Sequence, residues 1–267
     1  MNVPQVLLST TSVFPEASTS AFELSASLGY DGVELMVGVD SLSVDIDAIA
    51  KLADYHGVPV RSVHAPTLLV TQGTWGNDSW EKLRRSGEAV RQLGGDVVVV
   101  HPPFRWQRDY GKTFVDGIAT LNADFDDVKF CVENMYPWRT PAGNIQAYLP
   151  GWDPTDFAYE HLTLDLSHAS TSQRQSMDFV HAWGSRLAHV HLTDGKGSLK
   201  DEHLLPGEGD QSAWDVLAEI CSRGFEGHIV LEVSTRRARS RAEREALLGE
   251  SLENIRRTMS AAVPEKG

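Results

Sequence analysis

The chain has 267 residues, and 24 basic against 37 acidic side chains leave a formal charge of −13. Such a field repels polyphosphate backbones and argues against a nucleic-acid partner. No apolar run reaches the ~18 or more residues of a membrane span, and the start lacks the basic n-region of a secretory signal, so neither a membrane nor export is expected.

Strands are predicted near Gln5–Thr11, Gly32–Val37, Val60–His64, Asp96–His101, Val128–Glu133, Leu162–Leu166, Leu187–His191 and His228–Glu232. Their near-continuous apolar runs suit a parallel sheet covered on both faces. Helical patterns fill the gaps at Glu16–Leu28, Val44–Tyr55, Trp80–Leu93, Ser212–Ser222 and Arg237–Ser260. Each of the first four is followed within two residues by a glycine, where helices commonly end. The strict alternation predicts an α/β fold, a single (β/α)₈ barrel over residues 1–267. An open doubly wound sheet is disfavoured because no G-x-G-x-x-G follows the first strand. Cys131 and Cys221 sit in apolar settings and read as core thiols of a reducing compartment, so a cytoplasmic location is expected. Arg236, Arg237, Arg239, Arg241 and Arg244 share their segment with Glu243, Glu245 and Glu250 and read as a solvated helix face. Three long connections, Thr67–Ser79, Tyr136–Thr155 and Thr193–Gln211, follow strands, and in a barrel such loops build the active face.

Nine residues with metal-ligand chemistry stand at or just beyond strand ends: His64, His101, Glu133, Asp165, His168, His191, Asp201, His203 and Glu232. A carboxylate or imidazole after a β-branched run needs a partner, because burying it unpaired opposes folding. Glu133 in FCVEN and Glu232 in IVLEV are the hardest to explain otherwise, and a core site of Glu133, Asp165, His191 and Glu232 is predicted. Imidazole and carboxylate without thiolate suit Zn, Mn, Co, Fe or Mg, in one to three ions. Taken singly, His64 and His101 also fit satisfied core histidines. His189 faces the same way as His191 and reads as a supporting or core residue, while His161 and His181 carry no ligand signal. Trp138, Tyr148 and Trp152 in the loop after the fifth strand could stack on a sugar ring, or pack on one another.

In their order, GYDGVEL, SVHAP, VVVHPP, VENM, LDLSHA, HVHLTD, PGEG and LEV resemble the xylose isomerase-like barrel superfamily, which includes sugar isomerases and epimerases and the endonuclease IV DNA-repair enzymes. The likeness spans nearly the whole chain. In the epimerase branch it implies one divalent metal on Glu133, Asp165, His191 and Glu232, the two glutamates exchanging a proton with the carbon beside a carbonyl, and substrate contact from His168. In the endonuclease IV branch it implies three zinc ions. His64, His101 and Glu133 would hold the first, Glu133 would bridge to a second on Asp165, His191 and Glu232, and His168, Asp201 and His203 would hold the third. Thr67 stands where that branch usually has an aromatic residue.

The leading expectation is a metal-dependent isomerase or epimerase of a small carbohydrate-like substrate. It would work through an enediolate with Glu133 and Glu232 as acid and base, and His64, His168, Trp138 and Trp152 would contact substrate. The alternative is a multinuclear zinc phosphoesterase of the endonuclease IV kind; a non-catalytic metal or ligand binder ranks last. A homo-oligomer is compatible with the sequence.

Overall fold

The computed structural model describes residues 4–140 and 143–262. Eight parallel strands close into a barrel: β1 (Gln5–Ser9), β2 (Gly32–Met36), β3 (Val60–His64), β4 (Val97–Val100), β5 (Lys129–Glu133), β6 (Leu162–Asp165), β7 (Leu187–Leu192) and β8 (His228–Leu231). Each pairs with its neighbours in the chain, and β8 closes on β1 with Gln5 opposite His228 and Leu8 opposite Leu231. The predicted (β/α)₈ barrel is the observed fold. A two-stranded antiparallel hairpin, Trp138–Thr140 with Gly143–Ile145, was not anticipated; it rises from the loop after β5.

Helix ends follow local chemistry. Asp45 and Asp78 cap Ile46–His56 and Ser79–Gln92 by accepting backbone N–H bonds, and Gly29 and Gly57 close helices with φ of 86° and 65°. The last helix begins at Arg241 rather than at Arg237. Ser240 Oγ accepts from Glu243 N, and the Glu243 carboxylate reaches back to Arg239 N, so the start is fixed by a capping-box arrangement. The basic cluster is partly tied down. Arg241 pairs with Glu16 and Glu23, and the buried Arg244 pairs with Glu16 and donates to Thr235.

Alternation along the strands divides the core in two. Val98, Val100, Phe130, Val132, Leu164, Val190 and Leu231 belong to the large apolar cluster that includes helix residues, while Val97, Val99 and Cys131 form a small separate one. Bulky branched side chains usually fill a barrel interior. Here the inner positions also carry Glu34, Ser62, Thr163 and His189, all fully buried.

Candidate metal centre

All nine strand-end residues come together at the carboxyl end of the barrel. His64, Glu133 and Asp165 are the last residues of β3, β5 and β6, and His191 lies in β7 directly opposite Asp165. His101 and Glu232 follow β4 and β8 by one residue. Asp165 caps the short helix Leu166–Thr171, its Oδ1 accepting from His168 N at 2.7 Å, and this cap turns the His168 ring into the same bowl. Asp201 and His203 arrive from the long loop after β7.

The ligand atoms fall into three groups. In the first, His64 Nε2 and His101 Nε2 lie 3.2 Å apart, and Glu133 Oε2 is 3.5 and 2.7 Å from them. In the second, His191 Nδ1 faces Glu232 Oε2 at 2.8 Å, Glu133 Oε1 at 3.0 Å and Asp165 Oδ2 at 3.5 Å. In the third, Asp201 Oδ2 sits between His168 Nε2 at 3.1 Å and His203 Nε2 at 2.8 Å. Glu133 therefore joins the first two groups with one oxygen each. Glu133 Oε2 and Asp165 Oδ2 are buried without a hydrogen bond, although imidazole nitrogens stand 2.7 and 3.5 Å away. Buried oxygens left without a hydrogen bond inside so tight a group of imidazoles and carboxylates fit a cation among them, so the residues present suit one or more divalent ions.

Burial alone would raise the carboxylates and lower the imidazoles, but the opposite charges prevail. Glu133 and Asp201 are held well below the usual carboxylate range and Glu232 is lowered to about 2, chiefly by His191 and, at Asp201, by His203 and His168. His191 and His168 are driven well above the imidazole range, and His203 is raised to about 10. His101, where burial dominates, moves down.

Neighbouring polar groups fix these positions. Asn134 bridges β5 and β6 by exchanging hydrogen bonds with the Asp165 backbone, at 2.9 Å to its O and 2.8 Å from its N. Thr11 donates to Glu232 Oε1, and Ser167 donates to Asp201 Oδ1 at 2.6 Å. The loop carrying Asp201 and His203 is organised by the buried Asp194, whose carboxylate accepts from Gly195, Gly207 and Gln211 N–H groups. Gly209 packs so closely there that a Cβ would stand 2.2 Å from both Asp194 Oδ1 and Gly195 O. Gly209→Ala is therefore expected to lower stability by about 3 kcal/mol and to expose the loop to limited proteolysis, read from denaturant unfolding and digestion rates.

Residues 22–258 match the family described as the xylose isomerase-like TIM barrel. The chain belongs to that family. An uncharacterized protein of Mycobacterium tuberculosis is 47% identical over 271 residues, covering 94% of this chain and 96% of that one. A fructoselysine 3-epimerase of Escherichia coli O157:H7 is 34% identical over 241 residues, covering 80% and 85%. Among solved structures, the E. coli 3-keto-D-glucoside 4-epimerase YcjR has a TM-score of 0.64 at 17% identity (95% of this chain, 99% of that one). The IOLI protein with a binding zinc atom gives 0.61 at 18% (97% and 98%). Endonuclease IV of Thermus thermophilus gives 0.57 at 18% (95% and 100%).

In this xylose isomerase-like barrel seven of the nine residues, all but the fully buried Asp165 and His191, line a cavity of about 750 Å³, together with Phe14, Val39, Leu68, Val70 and Arg236. Neither Trp138 nor Trp152 lines it. Trp138 instead packs with Phe104 and Trp106, its ring 6.3 and 5.9 Å from theirs, beside Tyr148; this is the self-packed loop that the sequence left as the other option. One residue of evident importance carried no ligand expectation. Glu34, inside GYDGVEL, is fully buried under the cluster, with Oε1 3.0 Å from His191 Nε2 and Oε2 2.7 Å from both His189 Nε2 and Ser62 Oγ. A lone glutamate in the apolar run GVELM is the same signal that marked Glu133.

Proposed function

We propose that this chain is a divalent-metal-dependent isomerase or epimerase of a sugar-like substrate bearing a carbonyl next to a hydroxyl, with Glu133 and Glu232 as its acid–base pair. The observation that carries this reading is the convergence of Glu133 Oε1 and Glu232 Oε2, two residues that line the cavity, on the buried His191 Nδ1 at 3.0 and 2.8 Å. A bound cation there would polarise the carbonyl and acidify the adjacent C–H. Both glutamates stay ionised at neutral pH, so either can accept that proton and later release it to solvent, while the other, having taken a proton from solvent, delivers it to the carbon. Thr11 steadies Glu232 through its Oγ1, and His168 and His64 stand at the cavity wall within reach of substrate hydroxyls. The epimerases among the relatives and structural neighbours support the same class.

A second reading, phosphoester hydrolysis at several zinc ions, is favoured by one observation: all three ligand groups are assembled, not the four-residue core alone. The cavity speaks against a DNA substrate. Its wall carries Glu16, Asp40 and Glu202, and among the described residues Arg236 is the one Lys or Arg side chain lining it. The test is a panel of ketoses and keto-glycosides, with and without phosphate, incubated with the Mn²⁺- or Zn²⁺-loaded protein in D₂O. Deuterium uptake at the carbon beside the carbonyl is expected. No uptake from any member, together with metal-dependent nicking of a plasmid bearing abasic sites and close to three ions per chain, would overturn the proposal in favour of the second reading.

A further inference from the structure

The Glu34 carboxylate lies in the buried interior of the barrel, beneath the cluster. It is fully buried, as are His189, His191 and Ser62 around it. Its position follows from two register features. β2 shifts against β3 between Val33 and Glu34, which sets Glu34 opposite Ser62, and β6 shifts against β7 between Leu162 and Thr163, which sets Asp165 opposite His191. Oε2 is occupied twice at 2.7 Å, by Ser62 Oγ and His189 Nε2, so the carboxylate is anchored from the side away from the cluster. Oε1 is left facing His191 Nε2 at 3.0 Å, and neither atom has a hydrogen-bond partner elsewhere among the described residues.

The two nitrogens of His191 thus meet different surroundings. Nδ1 faces three carboxylates, those of Glu133, Asp165 and Glu232. Nε2 faces one, that of Glu34. A neutral imidazole has one N–H and one lone pair, and which nitrogen carries the proton is set by the partner of the other. With no charge at position 34, the three carboxylates at Nδ1 would draw the proton to that side, and the lone pair would point into the barrel.

We propose that Glu34 is a positioning residue for the metal centre: by accepting the Nε2 proton of His191, it keeps the Nδ1 lone pair turned toward the cation position. This rests on the reading of the cluster as a metal site. His189 and Ser62 act one step further away, by holding Glu34 Oε2. Outer partners of this kind tune metal affinity by about ten- to a hundredfold.

The test uses Zn²⁺ alone as probe. Chelator-treated wild type and Glu34→Gln are titrated by isothermal calorimetry, with circular dichroism and thermal melts of both metal-free proteins to register any change in fold. The expected result is at least a tenfold loss of affinity at the tightest site in Glu34→Gln, with Ser62→Ala falling between the two. Affinity within twofold of wild type overturns the proposal, and so does a lower melting temperature with affinity unchanged, since that is a structural role alone. Should Glu34→Gln fail to fold, the Zn²⁺-loaded wild type labelled with ¹⁵N-histidine decides the matter. His191 protonated at Nε2 is expected, and protonation at Nδ1 overturns the assignment. If wild type takes up no Zn²⁺, the metal reading fails and this one with it, whereas tight wild-type binding unaffected at position 34 removes only the role of Glu34.

Discussion

Glu133→Gln is expected to lower substrate proton exchange by at least about a thousandfold and to weaken metal binding in the same step. Glu133 meets four histidines of the cluster. Its oxygens approach His64, His101, His168 and His191 at 3.5, 2.7, 3.4 and 3.0 Å. Glutamine keeps the size but turns one of those oxygens into an NH₂ donor, which would face either an imidazole lone pair or a cation. Loss of a general base alone is worth about 10²–10⁴ in rate, and loss of a shared ligand adds to it. Deuterium exchange and metal titration on the same preparation check both halves. Retained exchange at near wild-type rate would show that Glu133 is not the acid or base, whatever its place among the ligands.

The barrel and most of the cluster were legible because one physical rule generates both. A parallel strand covered on both faces reads as a continuous apolar run, and the place where such a run breaks into His, Asp or Glu marks its carboxyl end. Val60–His64 coincides with β3, and the other predicted strands differ from the observed ones by one or two residues. The differences have local causes. The first strand stops at Ser9 because the Ser9 hydroxyl accepts from Thr11 N and starts a short 3₁₀ turn. Glu34 carries no such mark, because its run continues to Met36 and it does not sit at a strand end. Its burial depends on the barrel closing, through the registers of β2 with β3 and β7 with β8 that bring Ser62 and His189 to it. Trp138 and Trp152 lie off the cavity for a related reason. A side chain in a long loop is placed by the other loops it meets, here Phe104 and Trp106 from the connection after β4, and no periodicity encodes that meeting.

Removing metal from the protein is expected to lower its melting temperature, by an amount that grows as pH rises from about 6 to 8.5. The direction follows from the groups that share the cluster. In the metal-free protein, burial works against protonated His168, His191 and His203, yet the carboxylates beside them prevail, leaving the first two well above the imidazole range and His203 at about 10. A raised folded value gives stability that is complete below the unfolded value near 6.5 and is lost as pH climbs toward the folded one. The depressed carboxylates act at the other end. The contribution of Glu232 is present above its unfolded value near 4.3 and lost as pH falls toward about 2. The metal-free protein is thus at its best in weak acid and loses stability as pH rises through neutral, because the unfolded chain sheds its imidazole protons while the folded cluster still holds them beside Glu133, Asp165, Asp201 and Glu232. Cations take the same imidazoles in their deprotonated form and must displace those protons, so their affinity rises steadily with pH across this interval. With metal at about a hundred times its dissociation constant the gain is about 2.7 kcal/mol, or roughly 5–10 °C for a chain of this size. Thermal melts with and without chelator at pH 6, 7 and 8.5 read the trend directly. A gap that narrows with rising pH would mean that protons and cations do not compete for these imidazoles, and the cluster would then be a self-satisfied ion-pair network rather than a metal centre.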